Sequence, residues 1–366
     1  MDARGIFLFI LLISSPALAQ EAALKPAPSP QFSNPNPPPS HYTIKLATTD
    51  PADSVVGKTL STLANALQSE SQEGLELVLY PAGTMGDEDV VLSKMRTGQL
   101  SAALLSSGTL AKIVPDIRVL ELPMLFKDYK TLDYVLLKLF PQFEQQLDQQ
   151  GLVLLGWVDR GFTQIFSNQA IRSTDDLKGK RWWVEPGDPL SEEMGDFFGV
   201  SPTPLARASV LLSLHAHTTD ALNCPPIDAD QLQWDDPMSS MTQISFADSF
   251  GAVVIEKADF MRLPADLRIL LKHHSRTAAE LIVTKLRMQT AHWLEQPPLS
   301  VVNPGPQEAA EWEQVALKMR KAAAGKYFSQ GLLDQIEQWK SEASPATPTN
   351  LQRLSSVPSA GLLLPH

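Results

Sequence analysis

YTIKLATTDPADSVVGKTLSTLANALQSESQEGLELVLYPAGTMGDEDVVLSKMRTGQLSAALL, residues Tyr42 to Leu105, carries the pattern that decides the fold. Tyr42 to Thr48 alternates apolar and polar residues, as a half-buried strand does. Val55 to Ser69 then places Leu60, Leu63 and Leu67 at helical spacing. Leu75 to Tyr80 is a second strand, closed by Pro81-Ala82-Gly83. Asp87 to Arg96 reads as a helix ending at Gly98, and Leu100 to Leu105 as a short buried strand. Strands alternating with helices in this rhythm predict a layered α/β domain.

The rhythm continues along the chain. Tyr129 to Gln150 is an amphipathic helix expected to end or kink at Pro141. Leu152 to Val158 is an apolar strand that leads out of the first domain. Short strands are expected at Gln164 to Ser167, Arg181 to Glu185, Val200 to Pro202 and Asp220 to Cys224, with helices at Leu190 to Phe198 and Ser209 to Leu214. Gly251 to Glu256 is a buried strand, and Leu263 to Gln296 a helix long enough to cross two domains. Two helices, near Glu308 to Ala324 and Gly331 to Glu342, close the folded unit.

The ends differ from this core. Residues 1–19 read as a secretory signal: an apolar run from Gly5 to Ser14, then Pro16 and the small-residue pattern Ala17-Leu18-Ala19. Residues 20–41 form a proline-rich linker, and residues 344–366 a proline-containing tail read as disordered. Cys224 is the only cysteine, so an exported chain has no internal disulfide to staple it. The length of 366 residues suggests two domains, and the net charge of −11 argues against nucleic acid as a partner.

DDLKGKRWWVE, Asp175 to Glu185, is the most telling stretch for binding. Strand geometry sends Trp182 and Trp183 to opposite faces, so at most one of them lines a given cavity. Arg181 shares the Trp183 face, but about 6–7 Å away along the strand.

Several phrases, in order, carry a resemblance: KLATTDPADSVVGKTL from Lys45, MRTGQLSAALLSSGTL from Met95, LELPMLFKD from Leu120, GWVDRGF from Gly156, STDDLKGKRWWV from Ser173 and LPADLRILLKHHS from Leu263. Together they resemble the extracytoplasmic solute receptors of tripartite ATP-independent periplasmic (TRAP) transporters, of the DctP type. The resemblance implies a two-lobed, periplasmic-binding-protein-like α/β fold with a long helix spanning both lobes. Lobe I would comprise residues 42–159 and 250–285, and lobe II residues 160–249 and 286–343. It implies a periplasmic receptor, not an enzyme, that closes on a small ligand and presents it to a TRAP-type membrane permease. The hinge is expected near Val158 to Gly161 and Ser249 to Ala252.

The contact residues depart from the family pattern. Such receptors commonly grip a carboxylate with an arginine where this chain has Trp183, and guanidinium suits that task because its planar fork matches both oxygens. Thr163, after Gly161-Phe162, stands where another arginine is frequent. TTDALNCP, Thr218 to Pro225, puts Asn223 and Cys224 at the family's Glu and Asn positions, and the upstream helix that in the family often carries Glu and Tyr toward the cleft has Ser209 and Leu211. The expected ligand contacts are therefore Trp183, Arg181, Asn223, Phe162, Thr163 and Ser209, and the expected ligand is apolar, aromatic or cationic rather than a dicarboxylate. Trp183 reads equally well as a filler of a closed pocket, which leaves the alternative of a binding fold reused as an envelope interaction module. Asp159, Asp235 and Asp236 are candidate partners for a cationic ligand, with no placement in the cleft. His215, His217, His273 and His274 lack metal-ligand spacing, and no nucleophile or phosphate-loop motif occurs, so no cofactor or metal is expected.

Overall fold

A computed structural model describes residues 41–343, so the signal, linker and tail readings lie outside the described residues. Among the described residues, eleven strands build two sheets. They are β1 Tyr42–Ala47, β2 Leu75–Tyr80, β3 Ala102–Ser106, β4 Leu152–Phe162, β5 Gln164–Ser167, β6 Arg181–Val184, β7 Ser201–Pro204, β8 Ala221–Cys224, β9 Ser240–Thr242, β10 Asp248–Glu256 and β11 Ser300–Val302. The first sheet runs β2-β1-β3-β10-β4, and the second β11-β9-β5-β8-β6-β7. β1 pairs parallel with β2 and β3, as the βαβ rhythm of residues 42–105 requires, while β10 runs antiparallel between β3 and β4.

Helix starts follow the local sequence. The side chains of Ser54, Asp87 and Asp128 each accept a backbone N–H from the first turn of the helices Val55–Glu70, Glu88–Arg96 and Tyr129–Gln149. The last of these runs unbroken through Pro141, against expectation. Its buried stripe, Leu132, Val135, Leu136 and Leu139 before the proline and Phe143 and Leu147 after it, continues on both sides, and that burial outweighs one missing backbone bond.

The long helix is Ala265–Glu295, about 46 Å at 1.5 Å per residue. Ala279 packs on β4 at Gly156, where a Cβ would lie 2.6 Å from the Ala279 methyl carbon. At its other end Trp293 meets Phe166 of β5 edge to face, with ring centroids 6.0 Å apart. One helix therefore braces both sheets, as a spanning helix must.

The chain changes sheet at Thr163, between β4 and β5, and again between β9 and β10. The first crossing lies just after its expected hinge segment and the second just before its own, because Val158 to Gly161 and Ser249 to Ala252 lie in β4 and β10, which pair with each other within the first sheet. The boundaries expected at 159/160 and 249/250 are displaced for the same reason. Helix Gln330–Ala343, expected on lobe II, lies instead against Tyr129–Gln149, where Tyr134 and Lys138 both donate to Glu342. Among the described residues, no helix is long and apolar enough to cross a membrane.

Candidate functional site

The strand ends of both sheets face a cavity of about 190 Å³ at the crossings. This is room for several waters or a small organic molecule. Thr163 knits the crossings together. Its N–H donates to the Ala247 carbonyl at 2.8 Å, its carbonyl accepts from Phe246 at 3.0 Å, and its Oγ1 accepts from the Ala247 N–H at 3.0 Å. Asn223 of β8 adds an Nδ2 bond to the same Oγ1 at 3.3 Å.

Three of the expected contact residues, Trp183, Thr163 and Asn223, line this cavity together. Trp182 and Trp183 do part to opposite faces: Trp182 packs on Phe246, with ring centroids 5.9 Å apart, while Trp183 meets Trp234 edge to face at 5.1 Å. Trp183 is only 8% exposed, and its Nε1 donates to the Leu205 carbonyl at 2.9 Å. It is thus a wall of the cavity and a part of the lobe II core at once, and the cavity stays open beside it.

The other three lie elsewhere. Arg181 stands at the solvent end of β6 with its side chain 45% exposed, because Asp220 holds its guanidinium through Nε at 2.9 Å and Nη2 at 2.7 Å. Ser209 is exposed at the end of a short helical turn, Arg207–Ser209. Phe162 is buried against Tyr129, with ring centroids 4.7 Å apart. Of the candidate acids, Asp159 is tied to Arg287, Asp235 is buried beside Trp234, and Asp236 is exposed; none of the three lines the cavity.

Two guanidiniums that sequence reasoning missed do line it, Arg160 of β4 and Arg207. Asp228, on the helix Pro226–Gln231 that follows β8, pairs with both. Arg160 donates through Nε to Oδ2 at 3.2 Å and through Nη2 to Oδ1 at 2.9 Å, and Nη2 also reaches Asp50 at 2.7 Å. Arg207 donates to Asp228 Oδ2 at 3.1 Å and lays its guanidinium over the Trp234 ring, 5.2 Å from the centroid. Burial pushes the Asp228 carboxyl upward, yet the two arginines outweigh it and hold its pKa below the ordinary range.

The opposite end of the cavity is acidic. Glu88, Glu121, Glu185 and Asp188 line it. Arg118 joins Glu121 and Asp188, and the Arg118–Asp188 pair links the two lobes. Burial, then repulsion from Asp188, raises Glu121 to about 8, against the pull of Arg118 and a bond from Ser107. Burial, then repulsion from Glu88, raises Glu185 to about 7. Burial, then repulsion from Asp228, raises the thiol of Cys224, which also lines the cavity, and so disfavours the thiolate that a nucleophile needs.

Behind the cavity, a second network braces the crossing strands. Arg287 of the spanning helix donates to Asp159 through Nε at 2.9 Å and to Asp133 at 2.6 Å and 3.0 Å, and covers Tyr129 at 4.1 Å from the ring centroid. Gly161 sits beside that tyrosine at φ 98°, where a Cβ would come within 2.7 Å of the hydroxyl. Asp248, which unlike these residues lines the cavity itself, is buried with neither carboxylate oxygen bonded, and burial followed by Asp159 drives its pKa well up, so the neutral acid is the favoured form. Among the described residues, no group of three His, Cys, Asp or Glu side chains is arranged to hold a metal.

With this geometry in view, comparison places the chain. The family described as bacterial extracellular solute-binding protein, family 7, the DctP family, matches residues 46–326. The 2,3-diketo-L-gulonate-binding periplasmic protein YiaO of Escherichia coli is 26% identical over 58% of this chain and 65% of its own length. The sialic acid-binding periplasmic protein SiaP of Vibrio cholerae is 26% identical over 50% of this chain and 57% of its own. The match thus spans less than two thirds of either relative. A TRAP periplasmic solute-binding protein from Ralstonia eutropha, solved with bound (S)-2-acetolactate, superposes with a TM-score of 0.76 at 20% identity, covering 82% of this chain and 99% of that one. The two braced lobes, the cleft at their crossings and the match over most of the folded unit make this chain a member of the DctP family, whose proteins are periplasmic solute-binding receptors and not enzymes.

Proposed function

We propose that the protein is the exported receptor of a TRAP-type transporter, which captures a small ligand between its lobes and presents the closed form to a membrane permease. The open cavity supports capture over the alternative of a fold reused only for protein contacts. Trp183, Thr163 and Asn223 would touch the ligand, with Arg207 and Glu185 facing them.

The ligand we favour carries a positive group on an apolar or aromatic body. One observation carries this reading: each cavity-lining guanidinium already has a carboxylate partner, whereas of the cavity-lining acids Glu88, Glu121, Glu185 and Asp188 only Glu121 and Asp188 are paired with a cation among the described residues, and both share Arg118. An incoming ammonium would relieve that crowding, and Trp183 would supply an apolar face. A dicarboxylate meets the reverse situation. Two unit charges 4 Å apart at a partly wet site interact by about 4 kcal/mol, and here the sign is repulsive at the acidic end. The relatives named above bind acids, and that property belongs to them; the pairing of Arg160 and Arg207 argues against its transfer. Native mass spectrometry of protein purified without unfolding tests the reading. A co-purified amine is the expected result, and a co-purified carboxylate overturns it.

A further inference from the structure

Asp228 occupies the place in which a ligand carboxylate would be expected. It is 2% exposed, and both of its oxygens are used by cavity-lining guanidiniums. Its pairing with Arg160 is fork to fork, the two-bond geometry by which an arginine recognises a free carboxylate. Pro225 and Pro226 fix the turn out of β8, so the first turn of the helix Pro226–Gln231 delivers the side chain inward. The aromatic pair completes the arrangement. Trp183 packs on Trp234, whose ring in turn carries Arg207.

We infer that Asp228 is a built-in counter-ion: it holds Arg160 and Arg207 in the cleft as a ligand carboxylate would, and thereby determines the receptor's specificity against anionic ligands. This rests on the reading of the cleft as the ligand site. It goes further in naming the residue that excludes one ligand class, and in predicting that the exclusion is reversible. A carboxylate from outside must displace a tethered one, whose effective concentration is far higher than that of a free solute. Asp50 alone does not replace Asp228, because it reaches only Arg160, and by one nitrogen.

The experiment uses the whole chain and two variants. Asp228→Asn keeps the side-chain shape and removes the charge. Calorimetric titration with succinate is expected to give binding about tenfold to a hundredfold tighter than to the wild type, the equivalent of one charged hydrogen bond regained. Adding Arg207→Gln to that variant should remove most of the gain. Asp228→Ala leaves a carboxylate-sized space between two cations. Acetate should raise its melting temperature, or restore its folding if it does not fold alone, with no such effect on the wild type. The inference is overturned if Asp228→Asn binds succinate no better than the wild type and acetate neither stabilises nor restores Asp228→Ala. Tight succinate binding by the wild type is a separate outcome, which overturns the proposed cationic ligand as well.

Discussion

The two ends of the cleft solve the same electrostatic problem in opposite ways. At one end Asp50, Arg160, Asp228 and Arg207 alternate in sign and cancel. At the other, Glu88, Glu121, Glu185 and Asp188 crowd together, and Arg118 pairs with Glu121 and Asp188. Pairing keeps the Asp228 carboxyl ionised, whereas crowding and burial lift Glu121 to about 8 and Glu185 to about 7. The difference teaches that an arginine in a binding cleft is not by itself an anion site. What matters is whether its donors are free when the ligand arrives.

Forcing a charge into the wall is the severest way to break the comparison. Trp183→Arg replaces an 8% exposed indole, bonded to Leu205 and packed on Trp234, with a buried cation. Loss of stability of about 3–5 kcal/mol is expected in urea unfolding, as for an uncompensated buried charge, without any gain in dicarboxylate affinity, since Asp228 still occupies Arg160 and Arg207.

Removing the cation at the acidic end comes next. Arg118→Met leaves Asp188 and Glu121 unpaired and breaks a link between the lobes. A loss of about 2–4 kcal/mol is expected, with a larger radius of gyration in X-ray scattering as the open form gains population. An unchanged radius would mean that the pair does not hold the lobes.

Proton linkage sharpens the contrast further. Burial, with Asp188 and Glu185 nearby and Arg118 and Ser107 opposing, makes Glu121 hold its proton more tightly folded than unfolded. The stability this contributes is complete below the unfolded value of about 4.3 and is lost as pH rises toward about 8. Glu121→Gln should therefore be more stable than the wild type at pH 8, on the order of 1 kcal/mol or more, and equal to it near pH 4. Thermal melts across that range check the sign. The smallest effect belongs to Arg181→Ala, at a solvent-exposed pair outside the cavity: no measurable change in melting temperature or ligand affinity is expected.

Much of the framework was legible because its signals are local. Leu75–Tyr80 and Gln164–Ser167 stand where they were expected, and the helices expected from Val55, Asp87 and Tyr129 begin within one residue of those positions. The three-residue strands β9 and β11 escaped, being too short to show a period. The tryptophan pair was read correctly as two faces of one strand, but whether Trp183 fills or borders the cavity depends on Trp234 and Leu205. The charged clusters could not be read at all. Asp50 and Arg160 are 110 positions apart, and Arg160 and Asp228 are 68 apart. Their meeting is a property of the closed tertiary arrangement. Arg160 lay within the quoted GWVDRGF and Arg207 two positions before Ser209, so proximity to expected contacts was the one available signal.

Calorimetric titration of the wild-type protein with tryptamine and with succinate, side by side at pH 8, tests the central claim most directly. We expect binding of the amine, accompanied by proton release chiefly from Glu121, and no heat from succinate. Saturable succinate binding with a silent amine titration would contradict the claim that the cleft's arginines are already occupied from within the chain.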